Sequence, residues 1–180
     1  MKSAEEQLST YKSVHLNRKN VNTHFVGVPL IIWSAFVMLN TIPFSLLRFD
    51  YLNFEINTAT VLSIGILIYY FALHVRLAIG LTLFIFPVLY SSYLVSQSGS
   101  VWLIAIGVFA IGWIFQLIGH QYEQAKPAFI DDLNQLLIGP FFLMAEVYFL
   151  LGFEKDLNEL ITTMAVEKRR ALEDERCKSH

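Results

Sequence analysis

HLNRKNVNTHFVGVPLIIW, residues 15–33, decides how this chain is read: its first ten residues are mostly polar and its last nine mostly apolar. A chain that switches so abruptly from water-seeking to lipid-seeking side chains is entering a membrane. The apolar run begins at Phe25 and continues to about residue 47, enough at about 1.5 Å per helical residue to cross a hydrocarbon core of about 30 Å. Two histidines and three asparagines are thus placed at the doorstep of the bilayer.

Composition agrees with this reading. Of the 180 residues, 55% are apolar and only 16% charged, and the mean hydropathy is +0.51, outside the usual range of a soluble domain. A formal charge of −2 gives no basis for nucleic-acid binding. The one cysteine, Cys177, lies in the polar tail, so there is neither a disulfide framework nor a thiolate zinc site. Any metal must be held by imidazole, carboxylate or amide groups. The first apolar run is too long for a signal-peptide core and further spans follow it, so the N-terminus is expected to be retained.

Hydropathy predicts an all-α integral membrane bundle, a single membrane domain with four spanning helices at residues 25–47, 58–73, 77–95 and 101–119. The second and third are separated only by HVR, residues 74–76, which reads as a tight helical hairpin with His74 in a solvated turn. A fifth apolar segment, 136–153, contains Gly139-Pro140 and Glu146, and is expected to be re-entrant or interfacial. Charge bias supports this. With the N-terminus in the cytosol, four crossings return residues 120–135 to the cytosol. Lys2, Lys12, Arg18, Lys19, Arg76 and Lys126 then lie inside, and Arg48 alone lies outside. The tail 154–180, rich in Lys and Arg, joins them only if 136–153 does not cross. Residues 1–24 and 154–180 read as amphipathic surface helices. Ala4, Leu8 and Tyr11 make the first stripe, and Leu157, Leu160, Ile161, Met164 and Leu172 the second.

Three histidines, His15, His24 and His120, fall near the cytosolic boundary. On one unbroken helix the nine residues from His15 to His24, at about 100° each, would put them on opposite faces. They share a site only if the chain breaks between them, and NRKN, residues 17–20, is a suitable break because Asn favours turns and caps. Asn20 and His24 then lie one turn apart on one face. Later in the chain, Gln116, His120 and Glu123 form a polar stripe leaving the end of the fourth span. His120 and Glu123 can offer an imidazole and a carboxylate to one ion, a set that suits Fe(II), Mn(II) or Zn(II). Glu146 is a candidate proton site, a partner for a buried cation, or a snorkelling side chain. The Asp131-Asp132 pair is placed to cap the following helix.

The order Tyr11, His15, Asn20, His24, Gly27, Pro29, followed by Trp113, Gln116, Gly119, His120, Glu123 and Pro127-Ala128, and then by GPFF at 139–142 and Glu146, resembles the 2-hydroxy-fatty-acid dioxygenase family of small membrane proteins. The resemblance covers about residues 8–153. It implies an Fe(II)-dependent α-oxidation in which a 2-hydroxy fatty acid and O₂ yield the fatty acid one carbon shorter, a step of sphingolipid breakdown. The implied metal ligands are His15, His24 and His120, with Glu123 as a fourth ligand or as a group orienting an imidazole. Asn20 and Gln116 would orient ligands or bind the acid's head, Lys126 would attract its carboxylate, and Asp131 would support the ligands from behind. The site would face the cytosol from a bacterial inner membrane or the endoplasmic reticulum. Two other readings fit the residues: a lipid hydrolase using a zinc-bound water, and a transporter or scaffold in which Glu146 and the histidines serve ion movement or helix association.

Overall fold

The computed structural model describes residues 2–49, 51, 54–123 and 134–178, the side chains of 54 and 175–178 excepted. Its elements are α1 (Ala4–Ser13), α2 (Arg18–Leu39), β1 (Ser45–Phe49), β2 (Phe54–Asn57), α3 (Thr58–Leu73), α4 (Val75–Ser96), α5 (Val101–Glu123), α6 (Asn134–Leu150) and α7 (Lys155–Lys178). The chain divides into two compact units. One comprises residues 1–24 and 117–180, the other residues 25–116.

In the second unit, the core gathers Phe36, Ala59 and Ile85, with Ile32, Leu39, Phe84 and Val88 packed around them. Small residues let α2 and α5 approach. A Cβ on Gly112 would lie 2.8 Å from Ile31 Cγ1 and 3.0 Å from the Gly27 carbonyl oxygen, the kind of close crossing that small residues give in membranes. Polar side chains link α2 to α4: Trp33 Nε1 donates to Ser91 Oγ at 3.1 Å, and Asn40 Nδ2 to Ser92 Oγ at 3.2 Å. The outside is apolar. Leu83, Phe86 and Leu103 are 72%, 73% and 79% exposed, as side chains facing lipid are.

α2, α4 and α5 are each long and apolar enough to cross a membrane. The expected second span, α3, has 16 residues, about 24 Å of helix, and falls short of that length. The first expected span begins and ends earlier than hydropathy suggests. α2 takes in the polar residues from Arg18 and stops at Leu39, because Pro43 lacks an N–H and disfavours helix in the residue before it. The chain beyond Pro43 pairs as an antiparallel hairpin, Arg48 opposite Glu55. This hairpin is an addition to the all-α expectation. His74 is the junction of the helical hairpin, with its backbone N–H closing α3 on the Tyr70 carbonyl and its ring accepting from the Leu77 N–H at the start of α4.

In the first unit, α1 packs against α6 and α7. Leu8, Phe141, Phe142, Ile138 and Ile161 form its apolar interior, with Tyr11 lying over Gly139. Glu146 is the partner of a cation: Lys12 Nζ lies 2.7 Å from its Oε1, both side chains nearly buried. α6 ends in a Schellman turn. Gly152, at φ +82°, allows its N–H to reach the Phe149 carbonyl, and Phe153 N–H reaches Tyr148; the two aromatic rings then meet at 6.1 Å, the apolar contact such turns favour. The buried stripe of α7 runs through Leu157, Ile161 and Ala165. Leu160 and Leu172, expected in that stripe, are 50% and 41% exposed, because the axis of the buried face passes through positions 157, 161 and 165 rather than 160 and 164.

Candidate metal centre

The break that brings His15 and His24 together lies at residues 14–17. α1 stops at Ser13, Val14 takes a non-helical conformation, and the His15 N–H closes the turn on the Lys12 carbonyl. Asn17 then starts α2. Its Oδ1 accepts from the Lys19 N–H at 2.9 Å, an N-cap contact, and its Nδ2 donates to the Tyr122 carbonyl at 3.0 Å, near the end of α5. The break sits slightly ahead of 17–20, and Asn20 falls inside α2 one turn before His24.

His15, His24 and His120 converge. One ring nitrogen from each lies within 4.8 Å of the others. His15 and His24 are buried and His120 is half-buried. Tyr11 stacks on His15 with ring centroids 4.1 Å apart and planes 5° apart, and Phe142 closes the same side at 5.9 Å from His15. Gly119 makes the convergence possible. A Cβ there would meet Thr23 Oγ1, would lie 2.5 Å from Asn20 Oδ1, and would sit 3.1 Å from His24 Nδ1.

The hydrogen bonds fix which ring atoms face inward. His15 Nδ1 lies 2.8 Å from the Tyr11 carbonyl oxygen and His24 Nδ1 2.9 Å from that of Asn20. A carbonyl only accepts, so both Nδ1 atoms donate and both Nε2 atoms keep bare lone pairs. Those two Nε2 atoms are 3.2 Å apart. Neither has a hydrogen to offer the other, so the pair repels unless both lone pairs meet a cation. Nitrogens bound to one ion at about 2.0–2.1 Å stand about 2.8–3.4 Å apart for bond angles between about 90° and 109°, and the observed separation falls in that window. His120 Nδ1 is buried without a hydrogen-bond partner, a costly state that a metal ion would relieve. The donor set fits a divalent transition metal on these grounds.

Burial holds the His15 pKa well below its ordinary 6.5, and His24 beside it adds to the depression. His15 is therefore neutral at pH 7, ready to bind a metal without first losing a proton. The same shift predicts how metal-free protein responds to acid. With the folded-state pKa below the unfolded one, the unfolded chain binds the proton better, so stability is complete above about pH 6.5 and falls as pH drops below it. The melting temperature of metal-stripped protein is expected to decline between about pH 7 and about pH 5, and His15→Gln to flatten that decline.

Glu123 is buried beside the cluster and its carboxylate is engaged. Oε1 accepts from the Leu16 N–H at 3.2 Å, and Oε2 from the Asn17 N–H at 2.9 Å and from Asn20 Nδ2 at 3.2 Å. It thereby clips the end of α5 to the turn that carries His15. Asn20 holds His24 through its carbonyl and Glu123 through its amide. Gln116, one turn ahead of His120 in sequence, lies in the second unit against Gly27, its Nε2 buried without a partner. Lys126 and Asp131 lie outside the described residues. Sequence reasoning missed the roles of Asn17 and Phe142. The NRKN cap signal includes Asn17, and Phe142 ends the GPFF stretch of the family pattern, which marks the residue without indicating its place beside His15.

Comparison with known proteins bears on what such a cluster serves. Residues 1–151 match the family described as 2-hydroxy-palmitic acid dioxygenase Mpo1-like. The chain is also 34% identical over 173 residues, 94% of its own length and 94% of the relative's, to the 2-hydroxy-palmitic acid dioxygenase MPO1 of Saccharomyces cerevisiae. No solved structure matches it. By the extent of both matches, the chain belongs to the 2-hydroxy-palmitic acid dioxygenase Mpo1-like family.

Proposed function

We propose that this protein is an Fe(II)-dependent dioxygenase that shortens 2-hydroxy fatty acids by one carbon, with His15, His24 and His120 as the metal ligands. The observation that carries the proposal is the pair of bare Nε2 atoms 3.2 Å apart, completed by a third imidazole, in a chain of this family. Bound there, Fe(II) would offer open positions to O₂ and to the acid's carboxylate and 2-hydroxyl and would relay electrons from the acid to O₂ for oxidative carbon–carbon cleavage. The reaction balances without a further reductant: a 2-hydroxy acid and O₂ give the shorter acid, carbon dioxide and water.

The chain's own residues do the positioning. The Tyr11 and Asn20 carbonyls hold two imidazoles in the tautomer that turns Nε2 inward. Three neutral histidines leave coordination positions for substrate and O₂. Glu123 acts behind the ligands, keeping the His15 turn and Asn20 against the end of α5. Tyr11 and Phe142 cover the His15 side with aromatic carbon, which limits access of water.

Membrane topology supports the same reading. His24 is near the start of α2 and His120 near the end of α5, and the two meet. If α2 enters the bilayer and α5 leaves it on the same side, an even number of crossings must lie between them, so the short α3 would have to cross with α4 as a pair, giving four crossings. α6 pairs Glu146 with Lys12 of α1, as a segment that does not cross would. An amphipathic 2-hydroxy acid then reaches the metal with its head while its tail stays in hydrocarbon. The charge bias supports a cytosolic position for that face.

The direct test supplies purified protein with Fe(II) and 2-hydroxypalmitate under air and under nitrogen. The fifteen-carbon acid is expected under air alone and is lost on chelation. Hydrolysis products under both gases would instead favour a zinc-type hydrolase. Absence of any product with no bound metal would favour the transporter or scaffold reading.

A further inference from the structure

The C-terminal helix α7 lies beyond the residues that match the family, yet it reaches the centre. Its buried stripe of Leu157, Ile161 and Ala165 continues, three and four residues on, as Lys168 and Arg169. Lys168 grips α1, its Nζ donating to the Glu6 carbonyl at 3.0 Å, to Ser9 Oγ at 2.9 Å and to Thr10 Oγ1 at 2.6 Å. Arg169 points the other way. Its Nη1 lies 3.8 Å from Glu123 Oε1, and its Nη2 donates to the Glu123 carbonyl at 3.3 Å. That carbonyl ends α5, where the last acceptors lack helical partners and a cation is favoured. The Glu123 side chain is 4% exposed and that of Arg169 19%, so solvent screens the pair only partly.

From these contacts we infer that Arg169 is a positioning residue for the metal centre, acting through Glu123. The inference rests on the reading that the three histidines hold a metal. Glu123 carries three hydrogen bonds to Leu16, Asn17 and Asn20, which adjoin His15 and hold His24, and it stands three residues after His120. An anionic carboxylate at that point needs a fixed orientation to keep both oxygens on their donors. Arg169 contributes to it by donating to the Glu123 backbone carbonyl and setting a positive charge 3.8 Å from the carboxylate of the same residue. Its Nε donates to Glu173 Oε1 at 2.7 Å and fixes the guanidinium plane, an arrangement for which a lysine is poorly shaped. Lys168 ties the same helix down without touching Glu123, which makes it a control for mere attachment of α7.

The experiment compares full-length Arg169→Ala, Arg169→Lys and Lys168→Ala proteins with wild type, by hydrogen exchange of the Leu16 and Asn17 amides without metal and by Co(II) titration followed in the visible spectrum. Arg169→Ala is expected to speed exchange at those two amides about tenfold or more, weaken Co(II) binding about tenfold and change the Co(II) spectrum, as loss of supporting partners does at other metal centres. Arg169→Lys should recover part of each. Lys168→Ala should lower the melting temperature while leaving the Co(II) spectrum and the two amides near wild type. Unchanged exchange in Arg169→Ala, or equal effects from Lys168→Ala, would overturn the inference. If wild type binds no Co(II), the metal reading fails and the role toward a metal fails with it. If wild type binds Co(II) and Arg169→Ala binds it equally well, the positioning role alone is overturned.

Discussion

His120→Ala is expected to abolish metal binding and turnover together while the protein still folds and inserts. The reason is the asymmetry of the three histidines. His15 and His24 are buried and hydrogen-bonded to backbone carbonyls, so removing either disturbs packing as well as chemistry. His120 is half-buried, and its Nδ1 has no partner. Truncating it removes a buried polar atom that contributes no hydrogen bond, so the cost to stability is expected to stay within about 1 kcal/mol. The cost to function is the loss of one of three ligands, and two imidazoles seldom retain a divalent ion against water. Rate and metal content are expected to fall by at least about 10²-fold with the melting temperature of metal-free protein nearly unchanged. Normal iron content in the variant would remove His120 from the ligand set.

Gly119→Ala is expected to be nearly as damaging, for a different reason. The added methyl would meet Thr23 Oγ1 and come within 2.5 Å of Asn20 Oδ1, closer than real contacts allow, so the side chains of Thr23 and Asn20 must shift, and with Asn20 the contacts that hold His24 and Glu123. Overpacking of this kind costs about 1–3 kcal/mol. A displacement near 1 Å in a reacting constellation can cost about 10²-fold in rate. The comparison is Gly107→Ala in the same helix, where the added carbon meets nothing within 4 Å and the loss of glycine flexibility is expected to be neutral or mildly stabilising. Purified variants compared for melting temperature and turnover separate the two effects. A fully active Gly119→Ala would show that the close crossing is not needed by the centre.

The membrane character and the three histidines were legible in sequence because each leaves a local mark: long apolar runs, a polar cluster at a span's edge, and helical spacing within α2 and α5. The need for a break between His15 and His24 followed from helix geometry, though its location at 14–17 depends on Val14 and on the Asn17 cap, which spacing does not distinguish from a break at 17–20. The hairpin at Ser45–Phe49 and Phe54–Asn57 was hidden because its apolar residues continue the run of α2. The partnership of Lys12 with Glu146 joins residues 134 apart, and no periodicity reports on such a distance. Glu123 shows the limit most clearly. Its position three residues after His120 marks it for the centre, but only the fold reveals that its oxygens answer the N–H groups of Leu16 and Asn17 at the start of α2. Helix starts always leave such donors to be satisfied, and sequence does not say by which residue.

The proposed function requires three imidazoles to hold one catalytic iron. Its most direct test is anaerobic titration of Fe(II) into metal-stripped protein, with X-ray absorption on the loaded sample and turnover of 2-hydroxypalmitate followed at each step. Activity is expected to rise in proportion to iron and level at one iron per chain, with an absorption spectrum showing histidine nitrogen in the iron's coordination shell. Full turnover without stoichiometric iron, or iron bound without histidine nitrogen, would contradict it.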